Sequence, residues 1–144
     1  MRVGVITFPG THGDRDCVET FRDVFKWPTI ILNEHVDKLP DLDLIILPGG
    51  FSYGDYLRPG AIAARSALIG EVKNHAERGG KVLGICNGFQ MLTEAGLLCG
   101  ALSTNQSETF VNKTVWVRNT DGDVYRLPIA HRTGRFVATN TTLT

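Results

Sequence analysis

KVLGICNGFQMLTEAG, residues 81–96, decides how the chain is read. It opens as a short apolar run of strand type (81–86) and continues as a short helical run that stops at Gly96. At the junction stands Gly84-Ile85-Cys86-Asn87-Gly88, a G-x-C-x-G arrangement. A nucleophile between two such glycines, where a strand turns sharply into a helix, is the setting of a nucleophile elbow. The reason for the spacing is steric: the turn lifts the nucleophile clear of the sheet, and glycines two residues to either side let strand and helix pass closely. Cys86 is then at a helix amino terminus, whose partial positive charge favours thiolate over thiol. The amide N–H of Asn87 would face the oxyanion that develops on an attacked carbonyl. Cys17 and Cys99 lack this setting and read as core or surface residues.

Working outward, residues 2–8 (RVGVITF), 28–32 (PTIIL) and 43–48 (DLIILP) are continuous apolar runs, the pattern of strands covered on both faces. Helical spacing predicts helices over 14–26, through Cys17, Phe21, Val24 and Phe25, and over about 60–78, through Ala61, Ala64, Leu68 and Val72. The alternation predicts an α/β fold with a doubly wound, mostly parallel sheet. Beyond Gly96 the texture changes: 110–118 and 124–130 flank Asp121-Gly122, a hairpin signal. In such sheets sites lie at the carboxyl ends of the strands, so the loops after residues 8, 48 and 86 should converge. Pro48-Gly49-Gly50-Phe51 then offers a second oxyanion N–H with no side chain in its way.

Composition narrows the function class. The 144 residues suit one domain spanning 1–144. Fifteen basic and fifteen acidic residues cancel, so there is no basic surplus for a nucleic acid. No apolar run reaches the roughly 18–20 residues of a membrane span, and the opening MRVGVITFPG is not a signal peptide. Three irregularly spaced cysteines suit a reduced, cytoplasmic setting. The N-x-S/T matches at Asn105, Asn112 and Asn140 are read as chance. No ligand-spaced cluster suggests a metal. His35 and His75 read as surface residues, and His12 falls in the loop after the first strand, near the expected site face.

The run from Gly84 to Gln90 resembles the G-x-C-x-G-x-Q elbow of class I glutamine amidotransferases. Residues 45–58 (IILPGGFSYGDYLR), 84–98 (GICNGFQMLTEAGLL), 127–136 (LPIAHRTGRF) and the opening VITFPG are similar to blocks of the glutaminase subunits of phosphoribosylformylglycinamidine synthases. The resemblance implies a flavodoxin-like sheet of the amidotransferase type. It also implies hydrolysis of glutamine, with the ammonia passed to a synthase subunit that converts formylglycinamide ribonucleotide to the amidine in purine biosynthesis. Cys86 would be the nucleophile, and Gly50 and Asn87 would supply the oxyanion N–H groups. Gly49, Phe51, Gln90 and His131 would hold the substrate. No cofactor is implied for this chain; ATP and magnesium would bind the large synthase subunit, and a small accessory subunit could complete the assembly.

The family serves its nucleophile with a His and a Glu from a P-H-P-E-type block, which residues 1–144 do not contain. His131 is the one stand-in within these residues, and a satisfied loop histidine is its simpler reading. Arg132-Thr133 also stand where the family reads Gly-Glu. The resemblance therefore leaves three readings: a fragment of an active subunit, a natural truncation completed by another polypeptide, or an inactive docking module.

Overall fold

The computed structural model describes residues 1–139 and divides the chain into two compact units, Met1–Cys99 and the residues from Gly100 onward. Asn140 lies outside the described residues.

In the first unit, β1 (Val3–Thr7), β2 (Thr29–Asn33), β3 (Leu44–Leu47) and β4 (Lys81–Gly84) form a parallel sheet in the order β2-β1-β3-β4. This is the flavodoxin-like order that the resemblance implies, in the parallel sheet expected from the alternating pattern. Helix α1 (Asp14–Glu19) packs on one face over Val3, Val5 and Ile46, with Cys17 and Phe21 turned inward. Helices α2 (Ala67–Glu77) and α3 (Asn87–Glu94) cover the other face, where Leu68, Ile69, Val72, Met91 and Leu92 meet Ile6, Ile45 and Leu47. Because strand side chains alternate, Val5 and Ile6 serve opposite cores.

Several expectations need correcting. The run at 28–32 is not covered on both faces: β2 is an outer strand, and Ile30 and Ile31 are 45% and 53% exposed. On β4 and just after it, Leu83 and Ile85 are 44% and 42% exposed. They line an open cleft of about 380 Å³ with Gly13, Cys17 and Phe21, because α1 covers the middle of the sheet and stops short of β4. The helix expected from about residue 60 begins at Ala67 after a tight 3-10 turn over Ala63–Arg65. Ser66, in an extended conformation, caps it by accepting the Ile69 N–H at 3.3 Å. The helix expected over 14–26 widens into a π turn at Thr20–Val24, beyond which Phe25 stacks on Trp27. His75 is buried, at 7% exposure, since it continues the inward stripe of Leu68 and Val72. Among the described residues its Nε2 has no hydrogen-bond partner.

In the second unit, β6 (Val111–Arg118) and β7 (Val124–His131) form the expected antiparallel hairpin, from Val111 opposite His131 to Arg118 opposite Val124. Gly122, at φ 94°, supplies the left-handed turn residue. The short pair β5 (Ala101–Ser103) and β8 (Arg135–Val137) has no sequence signature of its own. Asn105 organises the unit. Its amide donates to the carbonyls of Thr109 at 3.0 Å and His131 at 2.8 Å, while its Oδ1 lies 2.9 Å from His131 Nδ1.

Candidate active site

The elbow follows from packing. Cys86 has φ 53° and ψ −108°, a conformation that side-chain-bearing residues rarely adopt, and α3 begins at the next residue. The first helical bond runs from the Gln90 N–H to the Cys86 carbonyl at 3.2 Å. Both flanking glycines are required. A Cβ on Gly84 would stand 2.7 Å from the Gly88 carbonyl, and one on Gly88 would stand 2.6 Å from the Leu47 carbonyl carbon and nearer still to its oxygen. With the junction drawn this tight, the Cys86 side chain is exposed.

The loops after β1, β3 and β4 converge there, as expected. Gly49 lies against Cys86: a Cβ on it would be 3.2 Å from the cysteine's Cβ and 3.9 Å from its Sγ. The Gly49 carbonyl accepts the N–H groups of His12 and Gly13, each at 3.0 Å. In a trans peptide the next N–H points the opposite way, so the Gly50 N–H is directed away from the loop that holds the Gly49 carbonyl. Gly50, at φ 148°, forms an antiparallel bridge with Thr11, made through the N–H groups of His12 and Phe51. That bridge leaves the N–H of Gly50 unused. Phe51 is half-exposed, with its ring 5.8 Å from that of His12.

Asn87 occupies the first position of α3, where a backbone N–H has no partner within the helix. Its side chain is buried and fully committed. Oδ1 accepts the Ser52 N–H at 2.9 Å, and Nδ2 donates to Gln90 Oε1 at 2.9 Å and to Asp55 Oδ1 at 3.3 Å. The partners fix which end of the amide is oxygen, since a backbone N–H must meet an acceptor and a carboxylate must meet a donor. Burial pushes the Asp55 carboxyl above its ordinary value, with the Asn87 bond acting in the opposite direction. The connecting loop is strained, with positive φ at Tyr53, Gly54, Asp55 and Leu57. It is tied down along its length. Tyr53 donates its hydroxyl to Glu34, and burial followed by that carboxylate pushes its phenol up to about 12. Arg58 grips Glu94 at the far end of α3 with bonds of 3.0 and 2.5 Å.

Cys86, Asn87, Gln90, Gly49, Gly50 and Phe51 thus come together in the first unit. His131 belongs to the second, where its ring and its carbonyl both meet Asn105. Sequence reasoning missed Ser52, Asp55 and Glu34. The only signal was the polar content of FSYGD, which names no partner at 87 or 34. Among the described residues, no three His, Cys, Asp or Glu side chains gather as a metal ion would need, and no helix is long and apolar enough to cross a membrane.

An exposed cysteine on a strained elbow, at the carboxyl edge of a parallel sheet and beside a Gly-Gly loop, is the arrangement of a cysteine-dependent hydrolase or amidotransferase. The chain belongs to the amidotransferases: residues 1–144 match the CobB/CobQ-like glutamine amidotransferase domain family. Within the class it is similar to proteins named phosphoribosylformylglycinamidine synthase subunit PurQ. It is 47% identical to the one from Nostoc sp., with 99% of this chain covering 69% of that protein. To the one from Thermosynechococcus vestitus it is 49% identical, with 99% of this chain covering 64% of that protein. A solved structure, PurLQS from Thermotoga maritima, superposes with a TM-score of 0.85 at 45% identity, covering 96% of this chain and 70% of that one.

Proposed function

We infer that this chain hydrolyses glutamine and delivers the ammonia to the large subunit of a phosphoribosylformylglycinamidine synthase, in the cytoplasm. The observation that carries the reading is Cys86 at φ 53°, at the amino end of α3, with Gly49 packed against its thiol side. The Cys86 thiolate attacks the side-chain carboxamide carbon of glutamine, and the carbonyl electrons move onto oxygen. The N–H groups of Gly50 and Asn87 receive that oxyanion; removing one such donor typically costs ~2.7–4 kcal/mol of transition-state stabilisation. The C–N bond breaks, protonated nitrogen leaves as ammonia, and water releases glutamate from the thioester. Gly49, Phe51 and Gln90 hold the substrate. No residue among 1–144 is assigned the proton transfers, since the family's P-H-P-E-type block is not in this sequence. ATP, magnesium and the ribonucleotide bind the partner, and a small accessory subunit joins the assembly. A docking-only role is the weaker reading, because docking has no use for a strained, exposed cysteine.

The test is intact mass after treatment with a chloromethyl ketone analogue of glutamine. One adduct, prevented by excess glutamine and absent in Cys86→Ala, is the expected result. Labelling that ignores glutamine, or that persists in Cys86→Ala, overturns the reading.

A further inference from the structure

The loop from Phe51 to Arg58 is held in a conformation its residues do not favour. Tyr53, Asp55 and Leu57 all carry a side chain at positive φ, at 51°, 57° and 67°. Strain of this kind persists only where surrounding structure over-determines it. Here the over-determination runs along one helix. Gly60 packs so closely on α3 that a Cβ would stand 2.8 Å from the Met91 amide nitrogen, Arg58 holds Glu94, and Asp55 and Ser52 both meet the Asn87 carboxamide.

Asn87 therefore ties the two halves of the site together. Its backbone N–H belongs to the elbow, and its side chain holds Ser52, two residues after Gly50. Both Nδ2 hydrogens are spent, one on Gln90 and one on Asp55. Without an acceptor at position 55 the carboxamide loses one of its two loop-side partners, leaving the Ser52 N–H to resist rotation about its last torsion, which is broad and soft for asparagine. Rotation would release the Ser52 N–H and leave the Gly50–Phe51 segment held from the β1 side, through its bridge with Thr11.

We propose that Asp55 is a positioning residue of the hydrolytic site: through the Asn87 carboxamide it keeps the Gly50 and Asn87 N–H groups in register to receive the oxyanion. This rests on the glutaminase reading above. The acceptor oxygen at the end of its side chain is what matters.

The experiment compares alkylation of Cys86 by two reagents in the full chain. The chloromethyl ketone analogue of glutamine presents a carbonyl to the oxyanion site before its thiolate-for-chloride substitution. Iodoacetamide is displaced at carbon without needing that site. Asp55→Gly keeps the positive φ and removes the acceptor. It should slow labelling by the glutamine analogue ~10–100-fold, the size of a misplacement effect, while the iodoacetamide rate stays within about twofold. Asp55→Asn keeps an acceptor and tolerates the same φ, so it should restore the wild-type ratio of the two rates. Should Asp55→Gly not fold, Asp55→Ser, too short to reach Asn87, takes its place. An unchanged ratio in Asp55→Gly or Asp55→Ser, or no rescue by Asp55→Asn, overturns the proposal while leaving the glutaminase reading intact. Wild-type protein that the analogue does not label in a glutamine-protected way overturns the glutaminase reading, and this proposal falls with it.

Discussion

Gly88 lies directly against Leu47: a Cβ on the glycine would stand 2.6 Å from the Leu47 carbonyl carbon and 2.8 Å from the Leu47 Cβ. The contact ties the elbow helix to the end of β3, and the Leu47 carbonyl also accepts the Ile85 N–H at 2.9 Å. Backbone cannot yield as a flexible side chain can, so the clash has no local relief. Gly88→Ala should destabilise the protein by about 3 kcal/mol, at the upper end of overpacking costs. Urea denaturation measures it, and a loss under 1 kcal/mol would mean that the elbow is looser than described.

Gly70 is the opposite case. It lies inside α2, exposed, with nothing within 4 Å of where a Cβ would be. Alanine there narrows the unfolded ensemble without touching the folded one. Gly70→Ala should stabilise by ~0.5–1 kcal/mol, read as a rise in the denaturation midpoint at unchanged slope.

The buried ring of His75 fills the space over Gly80, into which a Cβ on that glycine would project. Gly80→Ala should cost roughly 1–3 kcal/mol through overpacking. His75→Ala vacates that space, so the two changes should couple favourably in a double-mutant cycle by at least ~0.5 kcal/mol. Strict additivity would show that the ring moves aside at little cost.

The cysteines should differ in reactivity. Burial, followed by the charges of Asp16 and Asp14, pushes the Cys17 thiol up, whereas Cys86 and Cys99 are exposed. Under native conditions at neutral pH, iodoacetamide should therefore modify Cys86 and Cys99 and reach Cys17 only on unfolding. Peptide mapping over time checks the order; early labelling of Cys17 would contradict the packing of α1.

Burial raises the Asp55 carboxyl above 3.8, so the folded chain holds that proton more tightly than the unfolded chain does. Its contribution favours folding below 3.8 and is lost as pH rises through the higher folded value. Asp55→Asn, neutral throughout, should therefore gain stability relative to wild type as pH rises across that window, with no further change above it. Denaturation of both proteins at several pH values provides the comparison. A relative loss instead would mean that the Asn87 hydrogen bond outweighs desolvation.

Much of the first unit was legible in the residues. Continuous apolar runs alternating with helical spacing imply a parallel sheet, and the glycines around Cys86 imply a turn too tight for a side chain. These are local properties, set by sterics within a few bonds, and they hold wherever the chain is placed. Strand coverage was less legible, because Ile30 and Ile31 are as apolar as Ile45 and Ile46. Only their place at the sheet's outer strand leaves them exposed. His75 was misread for a related reason: its charged neighbours on α2 suggest a wet face, while its own register with Leu68 and Val72 turns it inward.

The sequence by itself determined the α/β pattern, the elbow and the place of Cys86 on it, because spacing along one strand and one helix is enough to specify each. Tertiary structure alone decided what surrounds Cys86. Asn87 reaches Ser52 and Asp55 across 35 and 32 residues of chain, and Tyr53 reaches Glu34 across 19. Such hydrogen bonds depend on where separate loops arrive in space. That is settled by the packing of α3 against β3, which no local pattern in FSYGD or CNGFQ encodes.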